Sequence, residues 1–118
     1  MIFNQHNLAQ AVAKYIGANF REHNPYVADG PQGVMAYTSR YIKANPKMRM
    51  EFKRIIAESD IMAVYRFLKP NSSDLGRAVV DIFRVEDGKL VEHWDVMQPV
   101  PLQVANRNGC SRGFSRGQ

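Results

Sequence analysis

The sequence lacks most features that mark secreted or membrane proteins. Cys110 is the single cysteine among 118 residues, which excludes an internal disulfide framework and indicates a cytoplasmic location. No run approaches the roughly 20 consecutive apolar residues that span a bilayer. The N-terminus lacks the basic segment followed by an apolar stretch that is typical of a signal peptide. We therefore expect no membrane association.

Several common catalytic motifs are also missing. The sequence contains no glycine-rich phosphate loop of the GxGxxG or GxxxxGK kind. Its histidines and its cysteine do not follow zinc-ligand spacings such as CxxC or HExxH, and no serine lies in a GxSxG motif. A metal held by His93, Asp95 and His23 is a disfavoured alternative, so we expect neither a metal nor a cofactor.

The positive charge does not indicate a nucleic-acid-binding protein. The formal net charge is +5, but residues 103–118 contain three arginines and no acidic residue. Without that segment 13 basic and 11 acidic residues remain, a net charge of +2. A nucleic-acid interface needs Lys and Arg clustered on one face, and the basic stretch from Lys43 to Arg54 is better explained as a solvated surface.

Hydrophobic periodicity predicts two helices followed by a four-stranded meander. Residues 8–16 carry apolar side chains at helical spacing, and Gly17 is a suitable C-terminal stop. A short edge strand follows, and a second helix begins near Asp29 and ends at Asn45. The predicted strands cover 48–57, 61–69, 77–85 and 90–100, and Gly88 marks a hairpin turn. This order predicts an α+β domain over 1–104, with a loose tail over 105–118.

Charged side chains lie on the apolar faces of the last two strands. Because strand side chains alternate between faces, Asp81 shares a face with valines and Phe83, while His93 and Asp95 share one with Met97. A buried carboxylate must pair with a partner, or its pKa rises. Both outcomes serve proton transfer. The competing interpretation is a structural core pair.

The opposite face of these strands carries Ile82, Trp94 and Val96. Exposed apolar patches of appreciable size are uncommon on monomers. We therefore expect a homodimer that forms through this face.

Three segments of the sequence form a specific combination. They are EHNP at residues 22–25, Ile55 to Asp60, and above all AVVDIFRVEDGKLVEHWDVMQPVP at residues 78–101. In these segments the chain resembles the SnoaL-like polyketide cyclase family of the nuclear-transport-factor-2-like superfamily. The resemblance extends over about residues 3–109. It implies a cone-shaped, curved antiparallel sheet with helices packed on its concave face, the cystatin-like α+β barrel.

The resemblance implies a cofactor-free site in an apolar pocket. Asp95 matches the family's acid/base residue, with His93 and His23 as its partners in catalysis. The pocket wall would be formed by Asp81, Tyr65, Phe83, Met97 and Tyr37. The implied activity is that of a lyase or isomerase, such as an aldol cyclase or dehydratase, acting on a small apolar carbonyl compound. The alternative is a non-catalytic protein of the same fold that binds a small hydrophobic ligand or has a dimeric structural role.

Overall fold

The computed structural model describes residues 5–112. Two helices and five strands form one α+β unit. In chain order they are α1 (Gln5–Tyr15), β1 (Ile16–Glu22), α2 (Gly30–Ala44), β2 (Arg49–Glu58), β3 (Ile61–Lys69), β4 (Arg77–Glu86) and β5 (Lys89–Pro99).

The five strands form one curved, open sheet in the order β1-β5-β4-β3-β2. Strands β2 to β5 are an antiparallel meander, as the sequence predicts. Strand β1 joins the edge parallel to β5, so the sheet is mixed rather than purely antiparallel. This parallel pairing brings Glu22 level with His93.

The two faces of the sheet differ in chemistry. The inner face carries Val64, Val79 and Asp81, which are all buried. Helix α2 packs against β1 and α1, and Tyr41 of α2 is half-buried near the charges of Arg77 and Arg66. The outer face carries Ile82, Trp94 and Val96. The remaining core residues are Val12, Phe20, Ile42, Phe67 and Leu68.

The β4–β5 hairpin sets the register of the site. Asp87 and Gly88 both have positive φ, at 53° and 76°, which is the geometry of a two-residue type I′ loop. Glu86 pairs with Lys89 across this loop. The register then shifts between Arg84 and Val85, because Val91 is an extra residue in β5. Beyond this bulge, Asp81 lies directly opposite Asp95.

The N-terminal elements differ from their predicted bounds. Helix α1 ends at Tyr15, and Gly17 lies inside β1 rather than at a helix C-terminus. A Cβ on Gly17 would lie 3.1 Å from Cγ1 of Val91, so glycine permits close contact with the bulged residue. Strand β1 is also longer than predicted, because its pairing with β5 outweighs the weak β propensity of Gly17 and Asn19.

Beyond β5, residues 101–112 form no helix or strand. The backbone carbonyl of Cys110 accepts a hydrogen bond of 2.6 Å from the Tyr65 hydroxyl, which ties this segment to the outer face of β3. The rest of the predicted tail, 113–118, lies outside the described residues. Among residues 5–112, no helix has both the length and the apolar character needed to cross a membrane.

Candidate active site

His93 lies between two buried carboxylates on the inner face. Its Nδ1 is 2.7 Å from Oε1 of Glu22 at the end of β1. Its Nε2 is 2.9 Å from Oδ1 of Asp81 on β4. The Glu22 and Asp81 side chains are only 3% and 7% exposed. Both ring nitrogens of His93 are therefore occupied by acidic partners.

Arg66 completes the charge balance of this group. It extends from β3, and its guanidinium donates hydrogen bonds to both carboxylate oxygens of Asp81. Paired geometry of this kind offsets the cost of burying ions, whereas removing one partner leaves an uncompensated charge. Two carboxylates thus face one guanidinium and one imidazole.

The ionisation states follow from these contacts. Burial by itself opposes a charged imidazole, but the hydrogen bonds and negative charges of Asp81 and Glu22 outweigh it and raise the pKa of His93 to about 9. Burial likewise works to raise the pKa of Asp81. Hydrogen bonds from His93 and Arg66 outweigh that effect and lower the pKa. At neutral pH His93 is therefore an imidazolium that donates both of its N–H groups.

Asp95 is held differently from the other two carboxylates. Its oxygens accept hydrogen bonds of 3.0 and 3.1 Å from Nδ2 of Asn24. Its nearest cationic atom is Nε2 of His93, at 3.9 Å. Of the three carboxylates around His93, Asp95 is therefore the one that forms no ion pair at hydrogen-bonding distance.

The turn after β1 fixes the Asn24 amide. Oδ1 of Asn24 accepts the backbone N–H of Tyr26 at 2.9 Å, so Nδ2 is directed to Asp95. The backbone N–H of Asn24 donates to Glu22, and that of Glu22 donates to Asp29. An Asx turn of this kind explains why asparagine lies here. The hydrogen bond between Asn24 and Glu22 also connects the residue that contacts Asp95 with the residue that contacts His93.

Several predicted site residues lie together. Asp81, His93 and Asp95 form one group, and the ring of Phe83 stacks on His93 with a centroid distance of 4.7 Å. Met97 lies on the same face, where its sulfur is 3.8 Å from Nη1 of Arg77. Tyr37 lies on α2, where its ring stacks on that of Tyr41.

The structure does not bring His23 into this group. Its ring stacks on Trp94 at 4.8 Å, and its Nε2 lies 2.6 Å from Oε2 of Glu92, both on the outer face. The reason is strand alternation, since Glu22 and Asn24 point inward and the residue between them points outward. Tyr65 is likewise on the outer face, where it contacts Cys110, and does not line the inner face.

Three residues of the site are not indicated by the sequence analysis above: Glu22, Asn24 and Arg66. The alternation of side chains along β3 could have indicated Arg66, because Arg66 shares an otherwise apolar face with Val64 and Leu68. Glu22 and Asn24 could not be found in this way. Their role depends on the parallel pairing of β1 with β5, which no local pattern predicts.

Asp81, His93 and Asp95 could also supply three ligands to a metal ion, because their ligand atoms lie within 4.8 Å of one another. The chemistry of the group is unfavourable for this. A cation would have to displace the proton on Nε2 of His93 and would lie close to the Arg66 guanidinium. The arrangement fits a shared proton network better than a metal site.

The family model for SnoaL-like polyketide cyclases matches residues 1–104. The chain belongs to this family. No curated protein matches the sequence at a significant level. The match confirms the family that segments 22–25 and 78–101 predict.

Solved structures similar to this SnoaL-like chain confirm the fold. A candidate SnoaL-like isomerase from Agrobacterium tumefaciens is 14% identical with a TM-score of 0.69, covering 80% of this chain and 84% of its own. A candidate polyketide cyclase from Bacillus cereus is 19% identical with a TM-score of 0.64, covering 80% and 63%. The candidate hydroxylase AclR from Streptomyces galilaeus is 22% identical with a TM-score of 0.62, covering 86% and 83%. These names differ in activity, so the site must indicate the chemistry.

The His93 network predicts that stability falls at alkaline pH. Because the pKa of His93 is raised from 6.5 to about 9, its stabilising effect is complete below pH 6.5 and is lost as pH rises through 9. Since each pKa unit is worth ~1.4 kcal/mol, the loss should be on the order of 3 kcal/mol. Asp81, with its lowered pKa, should lose its effect only when pH falls below 3.8.

Urea unfolding between pH 6 and 9.5 measures this effect. In the control variant His93→Gln the free energy of unfolding should be lower and nearly constant over the same range. A wild-type profile that is flat from pH 6.5 to 9 would show that His93 is not held as an imidazolium.

Proposed function

We propose that this SnoaL-like protein is a cofactor-free acid–base catalyst that transfers a proton at a carbon next to a carbonyl group. The observation that supports this proposal is the position of Asp95 and its hydrogen-bond contacts. Asp95 is a partly buried carboxylate on the inner face, and within residues 5–112 the Asn24 amide is the one group that donates hydrogen bonds to it. Glu22 and Asp81 are instead engaged in ion pairs with His93 and Arg66 at hydrogen-bonding distance.

In the proposed step, a carboxylate oxygen of Asp95 accepts the proton of the C–H bond, and the electron pair of that bond forms the enolate. The resulting carboxylic acid then returns the proton to the same molecule, at another carbon or at a new alkoxide oxygen. This sequence suits an isomerase or an aldol cyclase, and it needs no oxidant. His93 acts as a positioning residue, because both its N–H groups are committed to Glu22 and Asp81.

Proton exchange at carbon tests the proposal without knowledge of the natural substrate. The methyl protons of 2-acetylnaphthalene, an apolar ketone, should exchange with deuterium in D2O faster with the protein than in buffer. The signal is followed by NMR, and Asp95→Asn should remove the acceleration. Binding of the ketone without accelerated exchange would favour the alternative function of a ligand-binding protein.

We also propose that the protein is a homodimer through the outer face. The register aligns Ile56, Ala63, Ile82 and Trp94 in one row across four strands. Val96 lies in the adjoining row and is 69% exposed. Covering such a surface removes apolar area from water and stabilises association.

Val96→Glu should weaken this dimer at least tenfold, because a charge would be buried in the interface. Sedimentation at micromolar concentration would then detect a shift from dimer to monomer. Val104→Glu is the matched control, since Val104 is also exposed but lies beyond the sheet. A wild-type protein that sediments as a monomer would refute the proposal.

A further inference from the structure

Asp95 and Asp81 compete for the same hydrogen-bond donor. The two residues lie directly opposite each other in the register of β4 and β5, and like charges at opposed positions of a sheet repel. Nε2 of His93 is 2.9 Å from Oδ1 of Asp81 but 3.9 Å from Oδ2 of Asp95. Asp81 therefore holds the N–H group, and Asp95 lies beside the pair without joining it.

Asn24 supplies the contact that Asp95 makes instead. Nδ2 of Asn24 is 3.0 Å from Oδ1 and 3.1 Å from Oδ2 of Asp95. These nearly equal distances place the amide nitrogen between the two oxygens, so the contact fixes the direction of the whole carboxylate group. Hydrogen bonds to an ionised acceptor are stronger than those between neutral groups. The amide therefore offsets part of the repulsion from Asp81.

The Asn24 amide can hold Asp95 because the turn around it is anchored on both sides. Its Oδ1 accepts the backbone N–H of Tyr26 at 2.9 Å. The preceding residue, His23, donates its backbone N–H to the carbonyl of His93 at 2.9 Å, which joins the turn to β5. Because Oδ1 is committed to a donor, the Nδ2 end of the amide faces Asp95.

We infer that Asn24 is a positioning residue that holds Asp95 outside the His93–Asp81 ion pair and fixes its carboxylate for proton transfer at carbon. This inference deepens the proposed function and rests on it for the reaction that Asp95 performs. Asn24 acts through Asp95 and forms or breaks no bond of the substrate. Without the amide, Asp95 should turn to the His93 N–H group and become part of the ion-pair network.

Asn24→Asp separates the amide donor from the turn. The new side chain keeps an oxygen that can accept the Tyr26 N–H and close the turn, but it places a second carboxylate against Asp95. When two carboxylates share a site, one of them takes up a proton at a higher pH. The acid limb of the pH profile for proton exchange on 2-acetylnaphthalene should therefore move up by about one unit or more. A purely structural role of Asn24 would lower stability without moving this limb.

Asn71→Asp is the matched control for this change. Oδ1 of Asn71 accepts the backbone N–H of Ser73 at 2.9 Å, which is the same kind of turn on the exposed loop between β3 and β4. Its pH profile should equal that of the wild type. An acid limb that stays at the wild-type position in Asn24→Asp would overturn the inference.

Asn24→Ser tests the same role without adding a charge. Its hydroxyl can still accept the Tyr26 N–H but is too short to replace the amide donor to Asp95. The maximal rate of proton exchange should fall by about 10²-fold, the effect of a displaced reacting group. A wild-type rate in this variant would contradict the positioning role.

NMR titration of the Asp95 carboxyl carbon gives a result that does not depend on catalysis. Its titration midpoint should rise by about one unit or more in Asn24→Asp and should stay unchanged in Asn71→Asp. A raised midpoint in a protein that accelerates no exchange would refute the proposed function and support the contact between Asn24 and Asp95. Accelerated exchange with an unmoved midpoint would refute the role of Asn24 and leave the proposed function intact.

Discussion

Asp95→Asn should lower the rate of proton exchange on an apolar ketone by 10²–10⁴-fold, the range that a positioned acid or base contributes. Asparagine has nearly the same shape and keeps an oxygen that can accept the Nδ2–H of Asn24. It cannot accept a proton from carbon at neutral pH. The change therefore removes the proposed base and leaves its surroundings in place.

The stability of the same variant discriminates between catalysis and a structural role. We expect its free energy of unfolding to be unchanged or slightly increased, since active-site charges are often held at a cost to stability. If Asp95 were instead the structural partner of His93, the variant should lose about 3–5 kcal/mol, as when a buried pair is broken. The 3.9 Å separation of these two side chains argues against such a pair.

Asp87→Asn is the matched control for Asp95→Asn. It makes the same chemical change in the same hairpin, and asparagine tolerates the positive φ of 53° at that position. Its exchange rate should equal that of the wild type. Full activity in Asp95→Asn together with a large loss of stability would remove Asp95 from the mechanism.

The largest expected loss of stability is in Asp81→Asn. This carboxylate is 5% exposed as a residue and is shared by Arg66 and His93. An amide would leave the buried guanidinium without a compensating charge, at a cost of about 3–5 kcal/mol. The pKa of His93 should fall at the same time, because one of its two acidic partners is lost.

Urea unfolding and NMR titration of the His93 ring measure the two effects separately. Glu51→Gln is the control, since Glu51 pairs with Lys53 at 2.6 Å but its side chain is 63% exposed. That change should cost less than about 1 kcal/mol, as is usual for surface ion pairs. Equal losses in the two variants would mean that the Asp81 network contributes nothing beyond a surface contact.

Much of the fold follows from local sequence signals. The meander is predictable because strand periodicity and the Asp87–Gly88 turn act over a few residues. The alternation of side chains along β4 and β5 places Asp81, His93 and Asp95 on one face, as the structure does. The same alternation along β3 indicates Arg66. Local sequence signals therefore account for the site residues that lie on β3, β4 and β5.

The remaining residues of the site depend on contacts between distant segments. Glu22 and Asn24 reach the site only because β1 pairs in parallel with β5, about 70 residues later in the chain. The local sequence around these two residues carries no signal of a functional site. Asn24 by itself indicates only an ordinary turn. For the same reason the sequence does not show that His23 lies on the outer face, since the pairing of an edge strand with its neighbour determines which of its side chains point inward.

The bulge at Val91 has a consequence for how the chain folds. With the turn fixed at Asp87–Gly88, a regular hairpin would pair Trp94 with Asp81 and would turn His93 and Asp95 outward. The contacts of the β4–β5 hairpin are local, so we expect it to form early, whereas β1 must close a long loop before it can pair. The contacts of Gly17 with Val91 and of Glu22 with His93 exist only in the bulged register. We therefore expect the docking of β1 to select the bulged register late in folding, so that the first strand of the chain determines how the last hairpin pairs.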